Sequence, residues 1–365
     1  MIGVRDMLLD TLQTALRLFP WPTRTGLRRI GDPDADSPVL VTGNYDLTVR
    51  RLLRDLAGSD AWLVVAPSSG INVWCAAAGG LLTTHQVVTA LKTSGVDDHV
   101  RHRRAILPQL AATGVLGRDV ARRSGWKVVF GPVYGADVAE FVAAGYKKSQ
   151  TMRRVRFGPR ERAEMACAWA SPMSAVAAVA AYFANPAWIL PVLAQVWGLA
   201  GAVFFVYDRL GRARLAITWL AAAVVSAAMT AACGGSAISV ALSVVAASVV
   251  LAVLTFDYDG STPIEGGSHF DSKQWKVTLD AEACIGVYSC WAVCPEACFE
   301  KREDLRKIEL AHDERCVKCG ACVVQCPQDA LFFVNEAGER IAPSEIRRYK
   351  LNLLGRHSVD AHVNG

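Results

Sequence analysis

Hydrophobic and polar positions follow three successive patterns along this chain of 365 residues. In the first, short apolar runs alternate with stretches of helical period. Val39–Thr42, Ala61–Ala66, Ala105–Leu107 and Lys127–Phe130 read as strands; Leu47–Leu56, Val73–Ala78, His85–Lys92 and Ala136–Ala143 read as helices. That alternation predicts a mostly parallel sheet, an α/β doubly wound (Rossmann-like) domain over residues 37–163, with its binding crevice at the carboxyl ends of the strands. Thr42-Gly43-Asn44, Ser68-Ser69-Gly70 and Pro108-Gln109 fall at those ends. None is a Gly-x-Gly-x-x-Gly fingerprint, so a nicotinamide cofactor has no specific support.

The second pattern is continuous hydrophobicity over residues 164–256. Ala166–Ala184, Ala187–Tyr207, Leu215–Cys233 and Ser236–Phe256 carry no charge. Each is about twenty residues long, enough to cross a ~30 Å hydrocarbon core at about 1.5 Å per residue. A four-helix transmembrane region follows. Arg153–Arg162 precede the first span and Arg209, Arg212 and Arg214 sit in the second connection, whereas Asn185-Pro186 and Gly234-Gly235 are uncharged. Basic connections face the cytoplasm. The chain is therefore expected to be multi-pass in the cytoplasmic (inner) membrane, with both soluble domains cytoplasmic. No ionisable residue interrupts a span, which favours an anchor over an ion pathway.

At the N-terminus, Ile2–Phe19 reads as an amphipathic helix with Val4, Leu8, Leu12 and Leu16 on one stripe. It is expected either on the membrane surface or against the first soluble domain. Pro20–Pro38 reads as linker, which makes residues 1–36 a helix plus linker. The third pattern begins after a Gly/Ser/Thr/Asp-rich linker at 257–275: short mixed segments punctuated by cysteine over 276–335, then a tail at 336–365.

Charge separates the same regions. Residues 1–163 hold 23 Lys/Arg against 14 Asp/Glu, and residues 257–365 hold 13 against 18. A basic head and an acidic tail attract each other. The arginines of the head are scattered rather than interleaved with aromatics, so no nucleic-acid partner is expected.

Eleven cysteines follow a metal-binding and not a secreted disulfide pattern. Cys316, Cys319, Cys322 and Cys326, followed by Pro327, form a full C-x2-C-x2-C-x3-C-P run. A zinc site is the rival reading. Upstream, Cys284, Cys290 and Cys294-Pro295 align with the same run, but Val287 stands where the second cysteine belongs. In two-cluster ferredoxins of α+β fold the fourth cysteine of each run serves the other cluster. Cys294, Cys316, Cys319 and Cys322 then hold one [4Fe–4S] cluster. Cys284, Cys290 and Cys326 hold a second, either [3Fe–4S] or a [4Fe–4S] whose last iron takes water or another ligand, Cys298 being the one spare thiol nearby; an empty second site is the remaining possibility.

Cys75 is the other candidate centre. Ala61–Ala66 ends at Pro67 and Ser-Ser-Gly, Asn72 is positioned to cap a helix from Val73, and Cys75 falls in its first turn. Unpaired N–H groups there favour negative charge, suiting a soft metal ligand or a nucleophile. A small buried cysteine is the plainer alternative.

Asn72-Val73-Trp74-Cys75-Ala76-Ala77 resembles the cap-helix motif of the mercury-methylating corrinoid proteins, and so do Val41–Asn44, Leu91–Gly95, His102-Arg103, Leu107–Gly114 and Gly131-Pro132. The resemblance spans roughly residues 37–165. It implies a cobalamin-type corrinoid with the Cys75 thiolate as lower axial ligand, Asn72, Val73, Trp74 and Ala76 shaping the cap helix, and Thr42 and Asn44 among the cofactor contacts. Thr278-Leu279-Asp280 and the cysteine runs resemble that family's partner ferredoxin, fused here. Three departures point to a divergent paralogue: Ala78-Gly79 replaces Gly-Lys, Val287 replaces a cysteine, and no cysteine follows Cys326. The family's membrane region has five spans against four here. The implied activity is corrinoid-dependent methyl transfer, with mercury(II) as acceptor, the fused ferredoxin reducing the cobalt, a donor protein or methyltetrahydrofolate-type methyl donor, and an upstream electron donor. The alternative is a membrane-bound iron–sulfur electron carrier without methyltransferase activity.

Overall fold

The computed structural model describes residues 4–261 and 275–349. Its helices in chain order are α1 (Val4–Ala15), α2 (Asp46–Asp55), α3 (Val73–Ala78), α4 (Thr84–Thr93), α5 (Gly117–Ser124), α6 (Val138–Ala143), α7 (Gln150–Arg153), α8 (Pro159–Ala184), α9 (Ile189–Phe205), α10 (Arg214–Ala232), α11 (Ala237–Ser261), α12 (Ser289–Val293), α13 (Ala321–Gln325) and α14 (Pro343–Tyr349). They fall in two compact units, one drawn from residues 1–19 and 157–269, the other from 20–156 and 270–365.

The second unit opens with a five-stranded sheet of order β1-β3-β2-β4-β5, made of β1 (Gly26–Ile30), β2 (Val39–Gly43), β3 (Ala61–Ala66), β4 (Arg104–Leu107) and β5 (Lys127–Phe130). Strands β2 to β5 are parallel and β1 runs antiparallel to β3 at the edge. Alternate residues serve two cores. Val39, Val41, Trp62, Val64 and Ala66 pack with α3, α4 and α5, while Leu40, Leu63, Val65 and Ile106 pack with α2 and α6. Burial on both faces is why β2 and β3 read as unbroken apolar runs. The chain passes from β2 to β3 on one side and returns past β2 to β4 on the other. The carboxyl ends of β2 and β4 therefore flank the point where the connections reverse, where ligands of such sheets bind.

Strand β1 corrects the expectation that residues 20–38 are linker. It is an edge strand: Leu27 packs on one core and Ile30 enters the other, while Arg28 and Arg29 between them mask the alternation. Charges of this kind on an edge also discourage pairing with other chains. Helix α5 was not evident in the sequence either, because only its Val120 is buried.

The remainder of this unit is a ferredoxin-like region. Strands β6 (Trp275–Leu279), β9 (Leu331–Asn335) and β10 (Arg340–Ile341) form an antiparallel sheet of order β10-β9-β6, and β7 (Phe299–Arg302) pairs with β8 (Lys307–Leu310) as a hairpin. Helices α12 and α13 each end just before the last cysteine of a run. The region extends past residue 335, since β10 and α14 continue it and Ile346 is buried in its core. The tail from 350 onward lies outside the described residues.

The first unit consists of α8–α11 with α1 against α8. By length and composition four helices here are able to cross a membrane: Pro159–Ala184, Pro186–Phe205, Arg214–Ala232 and Ala237–Tyr258. They match the four spans expected from the sequence. Gly158 begins α8 with Pro159 at its first position, and Glu161 accepts the Gly158 N–H (2.9 Å). Near that end Arg162 grips Asp208 with two hydrogen bonds (3.1 and 2.7 Å) and reaches the Phe204 carbonyl (2.7 Å), tying the start of α8 to the end of α9. Burial alone would raise the Asp208 carboxyl; the Arg162 guanidinium outweighs it and holds it below the usual range. Helix α11 runs on to Ser261, so residues 257–261 of the expected linker are helical; 262–274 lie outside the described residues.

Candidate functional site

At the carboxyl ends of β2 and β3 one side chain organises the loops. The Asn44 carbonyl oxygen accepts from the Ser68 backbone N–H (2.8 Å), the Ser68 hydroxyl (3.1 Å) and the Gly70 N–H (3.0 Å), and its amide nitrogen donates to the Thr23 carbonyl (3.2 Å). The Ser68 hydroxyl oxygen, whose single proton is shared between the two acceptors, also lies 2.8 Å from the Ile71 carbonyl. Asn44 thus spends its side chain on fixing the Ser68–Ile71 turn that leads into α3. Thr42, two residues earlier on β2, is buried.

Helix α3 starts where the sequence predicts. The Asn72 carbonyl oxygen accepts the Cys75 N–H (3.0 Å), and its amide nitrogen donates to Cys75 Sγ (3.3 Å). The cap residue therefore both starts the helix and holds the thiol. Cys75 is exposed, while Val73, Ala76 and Ala77 are buried and Trp74 is half-buried. The plainer expectation of a buried cysteine does not hold. Behind α3 lies the 3-10 turn Gln109–Thr113, and Gly114 beside it presses on Ala77, where a Cβ would come within 2.4 Å of the Ala77 carbonyl oxygen. An exposed soft donor, buttressed from behind and given an amide partner, fits a ligand to a soft metal.

The thiols of the ferredoxin-like region fall into two sets by their neighbours. Cys294, Cys316, Cys319 and Cys322 line one cavity, beside Pro295 and Phe299. Cys290 lies in the field of Cys284 and Cys326. Backbone N–H groups point at sulfur in the first set: Cys298 to Cys294 Sγ (3.3 Å) and Lys318 to Cys316 Sγ (3.4 Å). Burial pushes the Cys290 and Cys319 thiols up to about 12 and Cys322 well above its ordinary value. Cys294 is brought down to about 7, chiefly because the Cys298 thiol hydrogen-bonds to it. Buried thiols of this kind give up their protons when a metal replaces them, so cluster binding and folding are linked. Among the described residues no three His, Cys, Asp or Glu side chains converge on a single-ion site. The cysteines surround a cavity instead, as ligands at the outer corners of a multi-iron cluster must.

Cys298 belongs to the first set. It lines that cavity and interacts with Cys294 and Cys316, which corrects the suggestion that it serves the set lacking a cysteine at 287. Val287 itself is 50% exposed.

Sequence reasoning missed the residues that join the two parts of this unit. Gln325 Nε2 donates to the Ala112 and Val115 carbonyls (2.8 and 2.7 Å), and its Oε1 accepts the Gly117 N–H (3.2 Å). Gln109, expected to face the crevice, donates to the Val293 carbonyl (2.5 Å) and accepts from Lys148. Arg153 donates to the Trp291 carbonyl (2.6 Å) with its guanidinium 3.9 Å from the indole centroid, and Arg154 pairs with the buried Glu296 (2.9 Å). Ala112, Val293, Ala321, Phe130 and Cys319 close an apolar contact at the centre. Burial, and secondarily Arg153, lowers Lys148 to about 7. The turn Gln109–Thr113 thus touches the Cys75 helix on one side and the Cys319–Cys322 segment on the other.

Comparison with known proteins gives two family matches. Residues 8–142 match the CO dehydrogenase/acetyl-CoA synthase delta subunit (CdhD) family, and residues 312–332 match the 4Fe-4S binding domain. Among curated proteins the chain is similar to the gamma subunit of the acetyl-CoA decarbonylase/synthase complex of Methanopyrus kandleri, 39% identical over 125 residues, covering 34% of this chain and 27% of that protein. The gamma 2 subunit of Methanosarcina mazei is 39% identical over 130 residues, with the same shares. The gamma subunit of Archaeoglobus fulgidus is 35% identical over 116 residues, covering 31% and 24%. The chain thus spans about a quarter of the length of these relatives. It carries a CdhD-family domain of the corrinoid iron–sulfur type, homologous to part of the acetyl-CoA decarbonylase/synthase gamma subunit, and a 4Fe-4S domain of ferredoxin type.

Proposed function

We propose that this chain is a membrane-anchored, corrinoid-dependent methyl-transfer protein whose own ferredoxin-type domain delivers its electrons. One observation carries the reading: a single compact unit joins an exposed Cys75 at the strand ends to the Cys294–Cys316–Cys319–Cys322 cavity through the turn Gln109–Thr113. A bound corrinoid would supply a cobalt able to carry a methyl group, and a Cys75 thiolate donor would raise its electron density. Iron–sulfur clusters supply one-electron carriage.

The residues divide that work. Cys75 offers the thiolate, and Asn72 fixes its direction through the Nδ2–Sγ contact. Val73 and Ala76 anchor α3 in the core, and Trp74 presents a half-buried indole beside the thiol. Asn44 holds the strand ends of the sheet in shape through Ser68 and Gly70, so its part is positioning, and Thr42, two residues before it, lies buried on β2. Cys294, Cys316, Cys319 and Cys322 hold a four-iron cluster. Cys284, Cys290 and Cys326 hold a three-iron cluster, since the branched alkyl side chain of Val287 cannot ligate.

Helices α8–α11 anchor the chain in the cytoplasmic membrane with both soluble domains on the cytoplasmic side, as the basic connections indicate. The methyl donor is then a cytoplasmic protein or a methyltetrahydrofolate-type molecule, and an upstream donor supplies electrons. Mercury(II) is the acceptor that the resemblance of Asn72–Ala77 implies.

The visible spectrum of anaerobically prepared protein tests the reading. The wild type is expected to show corrinoid absorption beyond the iron–sulfur background, and Cys75→Ala to alter it at unchanged iron content. A chain that retains its iron yet takes up no corrinoid is the iron–sulfur electron carrier of the alternative reading.

A further inference from the structure

Helix α1 is amphipathic, but its two faces are arranged opposite to those of a helix in water. Gln13 is only 4% exposed, Leu9 and Asp10 beside it are half-buried, and Arg17 pairs with Glu164 of α8 (3.0 Å). The side that packs within the unit thus carries Asp10, Gln13 and Arg17 beside Leu9 and Leu16. On the other side Val4 is 73% exposed, Met7 60%, Leu8 63% and Leu12 45%. At 3.6 residues per turn Val4, Leu8 and Leu12 form one stripe, roughly opposite Gln13. A helix on a water-soluble protein buries that stripe and hydrates the polar side.

We infer that α1 is an interfacial helix whose Val4–Met7–Leu8–Leu12 stripe lies in the acyl-chain boundary of the leaflet beside the basic end of α8. This rests on the membrane reading above. The same unit exposes Val176, Leu190, Leu220 and Leu242 on the candidate spans, apolar surface that the membrane reading places in lipid. Its position agrees: Arg17 meets Glu164 in the first turns of α8, where Arg160 also pairs with Glu164 (3.1 Å), and cationic side chains gather there at headgroup level. The polar groups of the inner side are then served by protein partners, and the apolar outer side gains by leaving water.

Photo-crosslinking of the full chain in phosphatidylethanolamine/phosphatidylglycerol vesicles tests this, with p-benzoylphenylalanine replacing Leu8, Gln13 or Leu220 in turn. Leu8 and Leu220 are expected to yield adducts heavier by one phospholipid, and Gln13 to crosslink to an α8 peptide. Phospholipid adducts at Leu220 together with only protein adducts at Leu8, to a second copy or to the soluble domain, would overturn the inference while leaving the spans intact. Absence of phospholipid adducts at Leu220 would overturn the membrane reading and this inference with it.

Discussion

The two cysteine sets of the ferredoxin-like region differ in what surrounds them. The Cys294 set has its four expected thiols around a cavity, a fifth in Cys298, and Cys319 packed against Ala112 of the CdhD-type domain. The Cys284 set has three thiols, and the residue at the missing corner, Val287, stands half in solvent with Ile285 beside it 54% exposed. The first set touches the neighbouring domain through Cys319, whereas the second keeps its three thiols buried and is open to water only at Val287. Under the proposed function, electrons would enter from an external partner at this open set and leave through the closed Cys294 set toward Cys75. Loss of the fourth iron raises a cluster's potential, which suits an entry point or store better than a direct donor to low-valent cobalt.

The largest effect is expected from breaking the closed set. Cys322→Ser should remove roughly half of the iron, given two clusters of similar size, and abolish methyl transfer; iron quantification alongside an activity assay checks both. The same loss of activity is not expected from Cys298→Ala, because Cys298 is an extra thiol at that cavity.

Next in size is the junction. Gln325→Leu leaves two carbonyls and one N–H of the Ala112–Gly117 segment without their partner. At ~1–3 kcal/mol for each unsatisfied buried group, the contact should weaken by about 3–9 kcal/mol. Faster hydrogen exchange across residues 109–117 at unchanged iron content is the expected result.

That junction also shows where the sequence stops being readable. Strands β2 and β3 were legible because both faces are buried, and the cysteine sets because ligand spacing along one loop is a local property. The start of α3 was legible because an Asn cap acts three residues away. Gln325 and Gln109 gave no signal. Their partners come from residues 208 and 184 positions distant, and a glutamine that meets a carbonyl looks in sequence like one that meets water. Strand β1 was hidden in the same way, since an edge strand with two arginines has no alternation to detect.

A gain of function sharpens the comparison. Val287→Cys supplies the missing thiolate, so the three-iron electron paramagnetic resonance signal expected of the oxidised wild type should vanish while methyl transfer stays within about twofold, because the closed set still limits delivery. A silent oxidised wild type holding about eight irons would mean that an outside ligand completes the open set.

The smallest effect concerns pH. Lys148 is held near 7 in the folded chain against an ordinary value of 10.5, by burial first and by Arg153 second. Between those values the folded chain binds fewer protons than the unfolded one, so stability rises with pH from about 7 to 10 and falls as pH is lowered toward 7. Lys148→Met should flatten that slope in denaturant titrations without altering iron content.

The central claim is that electrons pass within one chain from the Cys294 set to a corrinoid on Cys75. The rate of corrinoid reduction, followed by stopped-flow absorbance with clusters pre-reduced, tests it most directly as protein concentration is varied. A first-order rate unchanged by dilution is expected in the wild type, and no such phase in Cys319→Ser. A rate that falls in proportion to dilution, or one that persists in Cys319→Ser, would contradict it.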